Sequence, residues 1–185
     1  ANEEFSYEKT ILKNVKIGKE GVPCFDLILI GIGETRLERL ESLHKISELH
    51  KKYNHVQEVI VQNFKAKPNT LMTNAVEPSF DELMWTIAMA RLILPGDISL
   101  QVPPNLNSEY ISQLTLSGIN DFGGISPVTK DYVNPEAPWP EIEKLNQIVL
   151  KTNQLLKPRA TLYPKYFADL ETFSTQEIAS KLLQI

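Results

Sequence analysis

Apolar positions alternate along this chain between short solid runs and helical stripes. Asp26-Leu27-Ile28-Leu29-Ile30-Gly31 is a continuous apolar run closed by glycine, which predicts a strand buried on both faces. From Thr35 to Tyr53, Leu37, Leu40, Leu43, Ile46 and Leu49 recur at helical spacing among charged residues, which predicts an amphipathic helix. Val56 to Gln62 is rich in β-branched residues and reads as a second strand. A long loop from Phe64 to Pro78 is punctuated by Pro68, Asn69 and Pro78, and loops of that length are often functional. Ser79 and Glu82 form a capping-box pattern. The helix they open runs to about Ile93, is apolar almost all round and is expected to be well buried, with Pro95-Gly96 stopping it. A third strand is predicted at 98–102, a helix at 108–117, a fourth strand at 119–122, a long helix at 140–155 and a last one at 174–183 with Ser174 as its cap.

Strand and helix therefore alternate four times, which argues for a parallel sheet. Four such units form either an open α/β domain or half of an eight-stranded barrel. For the half-barrel, the four strands lie in sequence order and the helices cover only the outer face, so one of the pairs Ile28 and Ile30 or Leu27 and Leu29 points to an inner side. Polar and glycine residues follow each strand: Gly31-Ile32-Gly33-Glu34, then Gln62-Asn63, then Gln101 with Asn105 beyond, then Gly123-Gly124-Ile125-Ser126. Parallel α/β proteins bind ligands at that edge.

At 185 residues, with 42% apolar and 23% charged residues and a net charge of −4, the chain has the composition of a single globular domain. Basic residues do not cluster into a nucleic-acid footprint, and no apolar run is long enough to span a bilayer. The start lacks the regions of a secretory signal, so a cytoplasmic location is expected. Cys24, the single cysteine, cannot hold an iron–sulfur cluster alone and is expected to be a small buried residue. His44 and His50 are placed on a solvated helix face, His55 at the surface, and Glu58 and Arg39 in structural or solvated roles; no metal-ligand spacing is present. Gly31-x-Gly33 is too short for a dinucleotide fingerprint, and Glu34 beside it would repel a phosphate.

Leu29-Ile30-Gly31-Ile32-Gly33-Glu34-Thr35 resembles the late-strand motif of radical S-adenosylmethionine (SAM) barrels, GxIxGxxE. The stretch from His55 to Pro68, HVQEVIVQNFKAKP, is similar to HIQEVIIQNFRAKP of the CofG family. Asp121 to Thr129, with Val133 to Pro140 (VNPEAPWP), resembles that family's DWGGVSPVTPDHVNPEAPWP. The resemblance runs from about Ser6 to about Tyr166.

This resemblance implies the second half of a radical SAM TIM-like barrel over residues 1–166, with a tail helix over 167–185. The family makes 7,8-didemethyl-8-hydroxy-5-deazariboflavin, the precursor of coenzyme F(420), as a lyase that cyclises an adduct of hydroxybenzyl and ribitylaminouracil groups and releases ammonia. It uses SAM and a [4Fe–4S] cluster, and a CofH-like partner supplies the adduct. The cluster's CxxxCxxC motif is absent here, which implies a missing N-terminal half-barrel and a fragment inactive alone. Gly31, Gly33, Glu34, Gln62 and Asn63 are then expected near SAM, with Gln101, Asn105 and Ser126 toward the substrate; the resemblance assigns no catalytic residue. Cys24-Phe25-Asp26-Leu27 replaces the family's Phe-Thr-Thr-Gly, Asn69 a usual glycine, Leu71 a proline and Phe122 a tryptophan. The alternative is a diverged, non-catalytic half-barrel that binds a partner chain or a nucleoside-like ligand.

Overall fold

A computed structural model of the chain describes residues 7–126, 128–170 and 175–183. The helices are α1 (Tyr7–Lys19), α2 (Arg36–Tyr53), α3 (Phe80–Ile93), α4 (Ile111–Leu116), α5 (Ile142–Leu150) and α6 (Gln176–Leu182). The strands are β1 (Cys24–Ile30), β2 (Val56–Asn63) and β3 (Ser99–Gln101), and short 3-10 turns span Asn105–Tyr110 and Pro164–Asp169. The strands form one parallel sheet in the order β1-β2-β3.

Local chemistry explains the boundaries. Thr35 caps α2, and Glu38 returns the bond to the Thr35 backbone, completing a capping box. Asn54 ends the same helix in the left-handed region at φ 52°. Ser79 caps α3 by accepting from the Glu82 N–H. Ser174 lies outside the described residues, and Thr175 caps α6.

Register sets the two faces of the sheet. Ile28 and Ile30 of β1, Val59 and Val61 of β2 and Leu100 of β3 are buried in one cluster with Leu43 and Ile46 of α2 and Leu83, Ile87 and Ala90 of α3. On the opposite face Phe25 pairs with Glu58, Leu27 with Ile60 and Leu29 with Gln62, and Phe25 and Leu27 are 59% and 48% exposed. Among the four positions singled out in β1, Ile28 and Ile30 thus turn to the helices.

Several expectations are corrected. The expected fourth strand contributes a single parallel bridge, Asp121 to Gln101. One backbone bond remains beside it, from the Asn120 N–H to the Leu100 carbonyl at 3.1 Å, while the Leu100 N–H donates to Asn120 Oδ1 and the Gly118 carbonyl accepts from Arg91 Nε. Helix α3 buries only Leu83, Thr86, Ile87 and Ala90, while Leu92 is exposed. Packed on one face of the sheet, it turns its far side to solvent. The helix expected at 108–117 begins within the 3-10 turn and becomes α4 only at Ile111, after Tyr110 (φ −115°, ψ 15°) leaves helical geometry, and that expected at 140–155 shortens to α5. No helix among the described residues is long and apolar enough to cross a membrane.

Candidate functional site

Because the strands are parallel, their C-terminal ends lie at one edge of the sheet. At the end of β1 the backbone turns through Gly31 (φ 89°) and Gly33 (φ 110°), a region that L-residues rarely adopt. A Cβ on Gly31 would stand 2.5 Å from the Pro78 ring, whereas one on Gly33 would meet open space. Glu34 folds back over this turn. Its Oε1 accepts from the Gly31 N–H at 2.8 Å and its Oε2 from the Ile32 N–H at 2.8 Å. Arg39 Nε donates to Oε1 at 2.7 Å, and Arg39 also holds Glu82 and Thr86 of α3. Burial alone would raise the Glu34 carboxyl; the two backbone N–H groups and Arg39 outweigh it and hold it below its ordinary value. Glu34 is therefore a clasp for the glycine turn, and Arg39 is a buried tie between α2 and α3.

The ends of β2 and β3 carry the remaining candidates. Gln62 is half-buried on the helix-free face. Asn63 is buried and accepts at Oδ1 from Asn107 Nδ2 at 2.8 Å. Gln101 is buried against Gly123 (φ 71°), whose position leaves no room for a Cβ beside the Gln101 amide. Asn105 donates to Asp131 Oδ2 at 2.9 Å and to the Ala137 carbonyl, and its own Oδ1 is buried with no partner. Ser126 closes its own turn, its Oγ accepting from the Val128 and Thr129 N–H groups and the Thr129 hydroxyl. The structure thus draws Gly31, Gly33 and Glu34 into one turn and ties Asn63 to the loop after β3, while Asn105 is held by Asp131 and Ala137 of a later loop and Ser126 by its own turn.

A second polar cluster lies on the helix-free face and is missing from the candidate set. Arg159 donates to Glu58 Oε2 at 2.7 Å and by two nitrogens to Asp121, and the Tyr163 hydroxyl donates toward Glu58 and Asp121 at 3.0 and 2.8 Å. Burial raises the Glu58 carboxyl, opposed by Tyr163 and Arg159. These partners come from segments far apart in sequence, so no local spacing announces them.

Two histidines depart from expectation. His50 is buried at the end of α2, its Nδ1 accepting from the Val56 N–H and its Nε2 lying 3.0 Å from Asp97 Oδ2. His55, expected at the surface, is 1% exposed and stands edge-on to Tyr53. Burial lowers both imidazoles, helped at His55 by the charge of His50 and opposed at His50 by Asp97. His55 sits in the turn that leads into β2 and is packed against Tyr53, and of the three histidines His44 stays on the exposed helix face.

A parallel sheet with helices packed on one face, and amides and glycines along its C-terminal edge, defines an α/β protein, the class whose members bind ligands at that edge. No protein-family model matches the chain. Individual relatives are specific: the 7,8-didemethyl-8-hydroxy-5-deazariboflavin synthase of Methanopyrus kandleri is 54% identical over 149 residues, 80% of this chain and 44% of that protein. The proteins of that name from Methanocaldococcus jannaschii and Methanococcus vannielii are each 46% identical, over 91% and 96% of this chain and 46% and 52% of their own lengths. The chain is a homologue of these deazaflavin synthases and spans about half the length of the curated relatives it matches.

Proposed function

We propose that the chain is the C-terminal half of a radical SAM deazaflavin synthase barrel, acting in the cytoplasm in coenzyme F(420) biosynthesis and inactive without its other half. The identity of 46–54% with synthases roughly twice its length carries this reading. The one-sided placement of α2 and α3 supports the barrel, with Phe25 and Leu27 on the side that a second half would enclose.

The turn after β1 fits a neutral adenosyl group: Gly33 presents backbone to open space, and Glu34 is already neutralised by Arg39. Gln62 and Asn63 add amides at the end of β2, and Gln101, Asn105 and Ser126 are assigned to the substrate side. When bound, SAM supplies the group that initiates the cyclisation. A cluster does not fit this chain. Among the described residues no three His, Cys, Asp or Glu gather as a metal set, and burial with the nearby Asp26 pushes the Cys24 thiol up to about 12. The cluster therefore belongs to the N-terminal half-barrel, and a CofH-like partner supplies the adduct; neither nucleic acid nor membrane has a part.

A second reading, a diverged half-barrel that binds a partner chain, draws on the bulky Phe25 and Leu27 on the helix-free face, where the resembled family carries a threonine and a glycine. The coding sequence upstream of Ala1 separates the two. An in-frame CxxxCxxC motif there supports the synthase; a start codon upstream with no such motif between it and Ala1 supports the partner-binding half-barrel.

A further inference from the structure

The sheet leaves one long edge open. Among the described residues β1 pairs with β2 alone. At its two ends the Cys24 N–H donates to the His55 carbonyl and the Ile30 carbonyl accepts from the Phe64 N–H, so every second residue from Cys24 to Ile30 turns its backbone toward β2. Strand alternation then turns the N–H and carbonyl groups of Phe25, Leu27 and Leu29 outward, and no loop or helix among the described residues bonds to them. Proteins usually guard such an edge with lysine, proline or a bulge. The strand Cys24–Ile30 has no lysine or proline; its one charge, Asp26, is engaged by Asn14 of α1, and its one register shift lies in the pairing with β2.

Beside this edge lies a cavity of about 260 Å³ between α1, β1 and α2, walled by Ile11, Leu27, Leu29, Ile32, Ile46 and Leu49 among others. The charged residues of its wall are engaged locally: Asp26 with Asn14, Glu34 with Arg39, Glu38 with Thr35 and Lys45 with Glu48. Of their buried polar atoms only Asp26 Oδ2 has no partner. The rest of the wall is aliphatic and suits side chains of the same kind.

Helix α1 identifies what belongs there. It is tied to β1 by the Asn14–Asp26 hydrogen bond and packs along α2, the position of a crossover helix in a strand–helix–strand unit. The second strand of that unit is β1, and the first is not among the described residues. Consecutive strands of such units lie side by side and parallel, so the first belongs on the open edge of β1. The chain spans 44% of one synthase relative and 52% of another, so each has length for that strand outside the matched region.

We propose that the open edge of β1 docks one parallel strand, the strand that precedes α1 in the longer synthase chain, with alternate side chains entering the groove between α1 and α2. The identity of that strand rests on the deazaflavin synthase reading; the open edge itself does not.

The chain co-expressed with the N-terminal half of a relative's synthase tests it, with amide hydrogen exchange read in the complex and in the chain alone. The Phe25, Leu27 and Leu29 amides should exchange at least about tenfold more slowly in the complex, as new ladder bonds form. Leu27→Pro removes one outward N–H and leaves the bonds to β2 in place, so the folded variant should hold the N-terminal half about tenfold more weakly. The exchange is read on the unsubstituted chain and stands even if the variant does not fold. A complex in which those three amides exchange as fast as in the chain alone overturns the proposal and leaves the synthase reading standing, because the halves then meet elsewhere. Failure of the folded halves to pair at all overturns both. The proposal also falls if a second copy of the chain covers these amides and the N-terminal half does not displace it, or if folded Leu27→Pro pairs as tightly as the parent.

Discussion

Arg159 Nη2 donates to Glu58 Oε2 at 2.7 Å across 101 residues of sequence, fastening the segment after α5 to the helix-free face of the sheet. The same guanidinium lies over the Tyr163 ring at 4.4 Å and holds Asp121 by two nitrogens. Glu58 and Asp121 are 11% and 10% exposed at the side chain, so removing the cation strands two nearly buried carboxylates. Arg159→Ala should therefore destabilise by about 2 kcal/mol near neutral pH, below the full value for a wholly buried pair because Arg159 itself is partly exposed. Glu58 already has a raised carboxyl. Losing Arg159 raises it further, the folded state then binds a proton more readily than the unfolded one, and the loss should shrink on acidification. Urea unfolding of both proteins at about pH 8 and about pH 5 checks the sign.

Gly31 and Gly33 share a positive φ but differ in surroundings. Gly33→Ala should cost about 1 kcal/mol for backbone strain alone. Gly31→Ala adds a Cβ at 2.5 Å from the rigid Pro78 ring and should cost about 3 kcal/mol or more. Equal melting temperatures for the two variants would contradict the packing seen at the end of β1.

Asp26 is half-buried; its Oδ1 accepts from Asn14 at 2.7 Å, and its Oδ2 is buried with no partner. Burial raises its carboxyl, opposed by the Asn14 hydrogen bond. A carboxyl raised on folding costs stability once pH exceeds its unfolded value. Asp26→Asn should therefore stabilise the protein at neutral pH by about 1 kcal/mol and lose that advantage in acid. Thermal unfolding at both ends of the range reads this directly.

His50 and His55 act in the opposite direction. Both imidazoles are lowered by burial, so the unfolded chain binds more protons as pH falls below the ordinary value of 6.5. Their contribution is complete above that value and is lost on descent toward the folded values. His55→Leu removes one of the two, and its stability should vary less than the parent's between about pH 7.5 and about pH 5.5. The difference between the two profiles isolates the histidine from the carboxylates that titrate nearby.

Much of the fold was legible because the signals are local. The run from Leu27 to Ile30, the Thr35–Glu38 and Ser79–Glu82 caps and the β-branched Val56 to Val61 each specify their element within a few residues. Asn69, read as standing at a usual glycine, is left-handed at φ 62°. The fourth strand shrinks to a bridge because the side chains of Asn120 and Arg91, 29 residues apart, take several of the bonds a ladder would make, which periodicity cannot show. Helix α1 was missed because its few apolar positions, such as Ile11 and Ile17, are interspersed with lysines. At the site, the residues at strand ends were legible and their engagements were not. Asn107 meets Asn63 over 44 residues, and Glu34 gives its carboxylate to its own turn.

The central claim is that this chain is one half of a deazaflavin synthase barrel. Co-purification with the CxxxCxxC-bearing N-terminal half of a relative, followed by anaerobic cluster reconstitution, tests it most directly. With SAM, reductant and the hydroxybenzyl–ribitylaminouracil adduct, the paired halves should form 7,8-didemethyl-8-hydroxy-5-deazariboflavin and 5′-deoxyadenosine, and neither half alone should form either. A stable, fully reconstituted complex that cleaves SAM no faster than the N-terminal half alone and forms no deazaflavin would contradict the account.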